Sequence, residues 1–434
     1  MHHCTVTVHH CLDIIAFALH WSPRHDCERD EAVAGLGETH RDGQNEPWIM
    51  LSRSRPVEPG VAGRKRPCWQ RGVHIHRTNE HQKVIRMAVS LPTRTMVPVA
   101  PMRPPLEHSQ PLFFLGSCFS SEVSARLQAR GHQTTSNPLG TLYNPVSIAQ
   151  TVERLASGRQ LVSSDLSFCE RQRHYFSFEA GTAHAAEDPD ECLASLNSAI
   201  VSGHEALLSS ASLFLTMGTA WAYVHRSSGR TVANCHRQPH ATFDRQLLSV
   251  PNIERRLLDA VRTAQDANPG LRVVLTVSPV RHTKEGATAS SRSKAHLLAA
   301  VHGVCDAIGW PACAYFPSFE IAIDELRDYR WYAADMIHPS ETAADYITER
   351  LLEAHFDPTD DDLRASVASL RVARRHKHQR PQSAAASTFA EQQLERCRAL
   401  HAAHPHMVGL LDGEVQHFTR MLRGPAAAPR PGVD

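Results

Sequence analysis

No Cys-x-x-Cys pair occurs in the chain, although it holds 11 cysteines. That absence, together with the odd count, argues against a zinc-ligand set and against a disulfide framework, and it favours a reducing compartment. Recurrent histidine spacing is missing too, since the paired His2/His3 and His9/His10 stand apart at the N-terminus. No metal or other cofactor is expected. No apolar run approaches the eighteen or so residues of a membrane-spanning helix. The best N-terminal candidate, residues 12–19, is short, carries Asp13 and has no Lys or Arg before it, so it makes a poor signal peptide. Charge of one sign is also lacking: 46 Lys+Arg against 45 Asp+Glu leave a net +1, which excludes nucleic-acid binding driven by overall charge. The expectation is a cytoplasmic protein without a nucleic-acid or membrane partner.

What is present is enough for a sizeable core: 434 residues, 42% of them hydrophobic. The chain divides by character into three parts. Residues 1–86 hold Trp21, Trp48 and Trp69 of the six tryptophans, with clustered His and Arg and no sustained period. They read as a disordered leader or an over-extended reading frame, the natural product starting near Met87. Residues 110–356 alternate short apolar runs with helical patterns. Strands are expected at 112–115, 213–217, 273–277 and 312–316. Helices are expected at 121–130, 146–156, 253–267, 293–308 and 343–354, and a hairpin pairs 222–224 with 231–234. Continuous apolar strands separated by helices indicate a parallel sheet covered on both faces. Residues 357–434 form a helical extension: a polar break at 360–362, a basic solvated run over 371–380, a helix over 384–403 and a frayed Ala/Pro-rich end from 424.

Two motifs carry chemistry. The first is Gly116-Ser117-Cys118-Phe119, where an apolar strand breaks at a glycine and is followed by two nucleophiles. Glycine permits the sharp turn, and the helix start beyond it offers backbone N–H groups that lower a thiol pKa and can hold an oxyanion. By itself this pattern also suits a helix cap beside a small buried cysteine. The second is Asp335-Met336-Ile337-His338-Pro339. A carboxylate three residues before a histidine, on a turn, can reach Nδ1 and aim Nε2 at a nucleophile. Both motifs fall at expected strand ends, where parallel α/β sheets place their chemistry.

The Gly116-Ser117-Cys118-Phe119-Ser120 block resembles the signature of the GSCFA family, and through it the wider SGNH/GDSL hydrolase superfamily. The resemblance spans roughly residues 110–355. It includes the segment 137–145, Asn-Pro-Leu-Gly-Thr-Leu-Tyr-Asn-Pro, then Leu215-Thr216-Met217-Gly218-Thr219-Ala220, Ala233-Asn234-Cys235-His236, the segment 276–281 and Leu326-Arg327-Asp328-Tyr329-Arg330. It implies a three-layer, flavodoxin-like fold and acyl transfer by a nucleophile, the late Asp-x-x-His and an oxyanion hole. Aligned without a gap, Cys118 takes the superfamily's nucleophile position; a shift of one residue would restore Ser117. Gly140 fits the second-block donor of a backbone N–H, and Gly218 opens the third block. There the superfamily's asparagine is replaced by Ala220, so the missing amide is either supplied by Asn144 or Asn234 or lost altogether. His236 is a candidate for a substrate contact, Arg281 and His282 follow a strand end towards the same rim, and Arg327 and Arg330 are candidates to hold a carboxylate or phosphate on a substrate.

The expected function is therefore an esterase or acyltransferase acting on a small-molecule or glycan ester, with Cys118 or Ser117, His338 and Asp335 as the reacting set. A non-catalytic binding protein that keeps the fold is the other reading, favoured by Ala220.

Overall fold

Alternate residues of the central strands pack in opposite directions, and this two-sided burial is why the strands are apolar throughout. A computed structural model describes residues 94–284, 286–380 and 383–423; the expectations for the leader and for the end beyond 424 lie outside these residues. The described residues fall within one compact unit, Asn79–Asp434. In strand β1 (Leu112–Gly116), Phe113 and Leu115 face one core and Leu112 and Phe114 the other. The first core is closed by helices α2 (Pro145–Ser157), α4 (Val250–Ala267) and α5 (Ala287–Ile308). The second is closed by α1 (Cys118–Ala129) and α6 (Glu341–His355). Across it Phe114 stacks on Phe214 with ring centroids 4.5 Å apart.

Between these lie β2 (Thr134–Ser136), the small antiparallel pair β3 (Ser167–Cys169) and β4 (His174–Phe176), α3 (Pro189–Ser209) and β5 (Ser212–Met217). There follow a three-stranded antiparallel ribbon of β6 (Trp221–His225), β7 (Thr231–Val232) and β8 (Phe243–Leu247), then β9 (Arg272–Val277) and β10 (Cys313–Tyr315). The central sheet is fully parallel, in the order β10-β9-β5-β1-β2. Counted along the chain, this is the doubly wound 2-1-3-4-5 arrangement. Its direction reverses between β1 and β5, and the crevice outside their carboxyl ends is where ligands bind in such sheets. No described helix is long and apolar enough to cross a membrane.

The expected strands and helices are all present within a few residues, but β2, β3, β4, β8 and α3 were not foreseen, nor were the helices over 361–375 and 412–423. Strand β2 is three polar residues at the sheet edge, with no apolar period to announce it. Helix α3 did carry a signal: Asp188 caps it, Pro189 opens it, and Cys192, Leu196, Ile200 and Leu207 bury one face at helical spacing.

The C-terminal helices α7 (Asp361–Arg375), α8 (Ala384–Ala403) and α9 (Asp412–Arg423) enclose their own apolar cluster around Val367, Leu394 and Phe418. The supposed polar break at 360–362 is the start of α7. Its aspartates sit at the positive helix end and Arg374 and Arg375 at the negative end. The basic run is thus partly helical, and Arg374 pairs with Glu414 at 3.1 Å.

Candidate active site

Gly116 ends β1 at φ +134, and a β-carbon there would run into the backbone carbonyl of Thr216 on the neighbouring strand. Only glycine lets β1 and β5 approach so closely while the chain turns into α1. The turn is braced from the second block: Asn137 Oδ1 accepts the Gly116 N–H at 2.9 Å, and its Nδ2 donates to Ser121 Oγ at 2.9 Å.

The turn sends its two nucleophiles different ways. Ser117 is fully buried, its β-carbon lies against Gly218, and its Oγ has no hydrogen-bond partner among the described residues. Cys118, the first residue of α1, is half-buried and lines two cavities that His338 also lines. Its backbone N–H and that of Phe119 belong to the first helical turn and have no intrahelical acceptor. The expectation of a lowered thiol pKa is corrected: burial pushes the thiol above its ordinary value. That outweighs the Phe119 and Cys118 N–H groups pulling it down, with Glu122 adding to the rise and Lys294 opposing it.

The Asp-x-x-His motif forms a tight loop ahead of α6. Asp335 Oδ2 lies 2.7 Å from His338 Nδ1, while Oδ1 accepts the backbone N–H groups of Ile337 at 2.9 Å and His338 at 3.0 Å. The His338 N–H first, then its ring and the Ile337 N–H, hold the Asp335 carboxyl at about 2. An ionised carboxylate can only accept, so Nδ1 carries a proton, and Nε2 is the nitrogen left to act as a base. The loop is pinned to the β9 end by the Arg281 N–H on Ile337 O at 3.0 Å.

The larger cavity, about 500 Å³, lies under the β6–β8 ribbon and includes Asn144 and Asn234 with Cys118 and His338. Asn144 is committed to capping α2: Oδ1 accepts from Ser147 N at 2.9 Å and Nδ2 donates to Ser147 Oγ at 3.0 Å. Asn234 Oδ1 accepts the His236 N–H at 2.8 Å, which leaves its NH2 as the free end of the amide.

Four expected substrate or oxyanion contacts do not reach this cavity. The Gly140 N–H is taken by Asn137 O at 2.8 Å, and its Cα packs on Gly181. The Gly218 N–H is taken by Tyr143 O at 2.9 Å. His236 is buried, stacks on Phe176 and bonds through Nε2 to the carbonyls of Ser177 and Ala180 at 3.0 Å each, a structural histidine. Arg281 faces a neighbouring groove with Arg327 and Tyr332. Ala220 is buried in the first core, and its N–H is taken by Ser293 Oγ at 2.7 Å.

Two residues gain importance from the structure. Lys294, buried in α5, donates to Gly218 O at 2.8 Å and Ser278 O at 2.6 Å and so ties together the ends of β5 and β9. Burial pulls its ammonium down to about 7. It shares the buried face of α5 with Leu297, Ala300, Val301 and Val304, and a lysine on an apolar helix face was the signal for it. His282 lines the cavity beside Tyr143, and burial, with Lys294 and His338 assisting, lowers its ring to about 4, so it is neutral.

The GSCFA family model matches residues 111–351, more than half of the chain. The chain belongs to the GSCFA family. The matched segment begins at β1 and ends in α6, so it contains both Cys118 and the Asp335–His338 pair. No curated protein matches this GSCFA chain. Among solved structures it is similar to an acetyl xylan esterase (Est2A) from the rumen bacterium Butyrivibrio proteoclasticus. The identity is 11% and the TM-score 0.27, over 60% of this chain and 64% of that one, which is less than two thirds of the esterase's length.

Proposed function

We propose that this GSCFA protein is an SGNH-like hydrolase or acyltransferase that attacks an ester through Cys118. The observation that carries the reading is the Asp335–His338 hydrogen bond of 2.7 Å on a loop whose histidine shares a cavity with Cys118, at the reversal point of the sheet. His338 Nε2 takes the thiol proton as Sγ bonds to the acyl carbon, and the carbonyl oxygen becomes an oxyanion near the Cys118 and Phe119 N–H groups. The tetrahedral adduct collapses, the ester C–O bond breaks, and His338 returns the proton to the leaving alkoxide. Water, or another acceptor hydroxyl, then attacks the thioester with His338 as base, and Sγ leaves. A raised thiol pKa fits this scheme because the base, not a standing thiolate, supplies the nucleophile.

The test is active-site labelling. A fluorophosphonate and, separately, iodoacetamide are applied to the folded protein, and the modified residue is mapped by mass spectrometry. Labelling at Cys118 that is lost in His338→Ala supports the reading, and a folded protein labelled at Cys118 by neither reagent refutes it. A binding protein that keeps the fold is the second reading. It is favoured by the buried Ala220 and by the occupied N–H groups of Gly140 and Gly218, since losing one oxyanion donor costs roughly a hundredfold to a thousandfold in rate.

A further inference from the structure

Helix α5 grips the third sequence block at two consecutive residues. Ser293 Oγ takes the Ala220 N–H at 2.7 Å and lies 3.0 Å from Thr219 Oγ1. Lys294 Nζ donates to Gly218 O at 2.8 Å and to Ser278 O at 2.6 Å. Gly218 joins this lysine to the nucleophile turn, because a β-carbon on it would stand 3.3 Å from Ser117 Cβ and 3.3 Å from His282 Nε2. Two carbonyls need donors, which a neutral amide or hydroxyl supplies, but they do not need a charge. A buried ammonium without a carboxylate is costly. Lys294 is only 4% exposed and pairs with no carboxylate among the described residues; beyond its two carbonyls, the Phe319 ring lies 5.8 Å away. Other ionisable groups surround the site. Glu122, Arg126 and Glu341 line the smaller cavity. The larger adds the bases His282, His338, Lys284 and Arg245 and the weak acids Tyr143, Tyr223 and Cys235. Arg281, Arg327, Asp328, Tyr329 and Tyr332 line the groove that Lys294 also reaches. Alone in this set Lys294 is buried, so water and salt screen its field least.

We propose that Lys294 is a positioning residue of this site, a buried positive charge that holds the negative charge developing on Cys118 Sγ and on the substrate oxygen, where Ala220 offers no amide. The proposal rests on Cys118 and His338 being the reacting pair and adds what stabilises the charge they create. A full charge acts through space, so the ammonium works through Cys118 without touching the substrate. It opposes burial and Glu122, which both push the thiol up. It also assists burial in keeping His282 neutral. Burial pulls the ammonium itself down to about 7, with Cys118 opposing. The positive charge is therefore present at pH 6 and gone by pH 9.

The rate at which neutral iodoacetamide alkylates Cys118 in the full chain reads the thiolate population. It is measured by mass spectrometry at pH 6 and pH 9 in the wild type, Lys294→Gln and Lys294→Arg. Glutamine keeps a donor for the carbonyls and loses the charge. Its alkylation should be roughly tenfold slower than wild type at pH 6, the effect of losing one nearby opposite charge. At pH 9 the two rates should be equal, since the wild-type lysine is then neutral as well. Arginine stays charged throughout, so it should match the wild type at pH 6 and exceed it at pH 9. A lysine that only braces the strand ends gives no such pH pattern. Equal rates for glutamine and wild type at pH 6, or a deficit of the same size at both pH values, overturns the proposal, as does an arginine variant no faster than wild type at pH 9. Lys294→Met is the second neutral variant where circular dichroism shows the glutamine chain unfolded, and the same two rates decide. If wild-type Cys118 takes no label, the reacting pair and this role fall together. A label whose rate ignores Lys294 removes this role alone.

Discussion

At the scale of single residues, neighbours in sequence are separated by burial. Ser117 and Cys118 leave the same turn, yet Ser117 is fully buried with its β-carbon beside Gly218, while Cys118 lines the cavities shared with His338. Ser117→Ala is expected to keep Cys118 labelling and any esterase activity. Because it removes a buried hydroxyl without a partner, it should leave stability unchanged or raise it by about 1 kcal/mol. Cys118→Ala should abolish turnover while keeping the melting temperature. Asp335→Asn should lower kcat by roughly a hundredfold or more, measured with the best ester substrate, since the amide no longer fixes the proton on Nδ1. The Asp335 carboxyl is held at about 2, so it stays ionised as the pH falls through 5 and 4. Loss of activity in that range therefore reports another group. That the two residues are candidate nucleophiles was legible in the motif. Which of them the proposed reaction would use was not, because both are short polar side chains, and it is the burial of Ser117 that favours Cys118.

At the scale of elements, the site depends on how closely β1 and β5 can approach. Gly116→Ala is expected to destabilise the fold by roughly 2 kcal/mol or more, read as a lower urea midpoint, and to reduce Cys118 labelling as the turn shifts. The carbonyl of Gly116 accepts from Leu142 and its N–H is held by Asn137, so the second block acts chiefly as a brace for the first. This explains why Gly140 failed as an oxyanion donor. Its positive φ of +94 serves the turn, and the turn's own hydrogen bond consumes the N–H. The ribbon β6–β8 was half visible as a hairpin around Ser228-Gly229. Strand β8 was not, because Asp244, Arg245 and Gln246 give no apolar period, yet it supplies the arginine of the larger cavity.

At the scale of the whole molecule, the helical extension meets the α/β layers through histidines. His108 Nε2 donates to Arg130 O at 3.0 Å. With that tautomer, Nδ1 accepts from His406 Nε2 at 3.0 Å, while the ring packs 4.3 Å from His132. Burial lowers His132 to about 2 and His355 to about 4, and His282 also lies at about 4. All three sit below the ordinary value of 6.5, so the folded protein refuses protons that the unfolded chain accepts. Their contribution to stability is complete above pH 6.5 and is lost as the pH falls towards 4 and, for His132, towards 2. Urea midpoints should therefore drop between pH 7 and pH 4, and His132→Leu should flatten that drop. An unchanged slope in the variant would remove His132 from the account.

The sequence by itself determined the family, the alternation of strand and helix, the parallel sheet and the two motifs of the candidate site. These follow from local signals: apolar runs, glycine and proline stops, and an acid three residues before a base. Only the tertiary structure decided that Cys118 lines two cavities together with His338 while Ser117 is fully buried, that the thiol is raised rather than lowered, and that Arg245 and Lys284 line one cavity. Each of those depends on what packs around a side chain from distant strands, and burial and charge summed over such neighbours cannot be read from residue order.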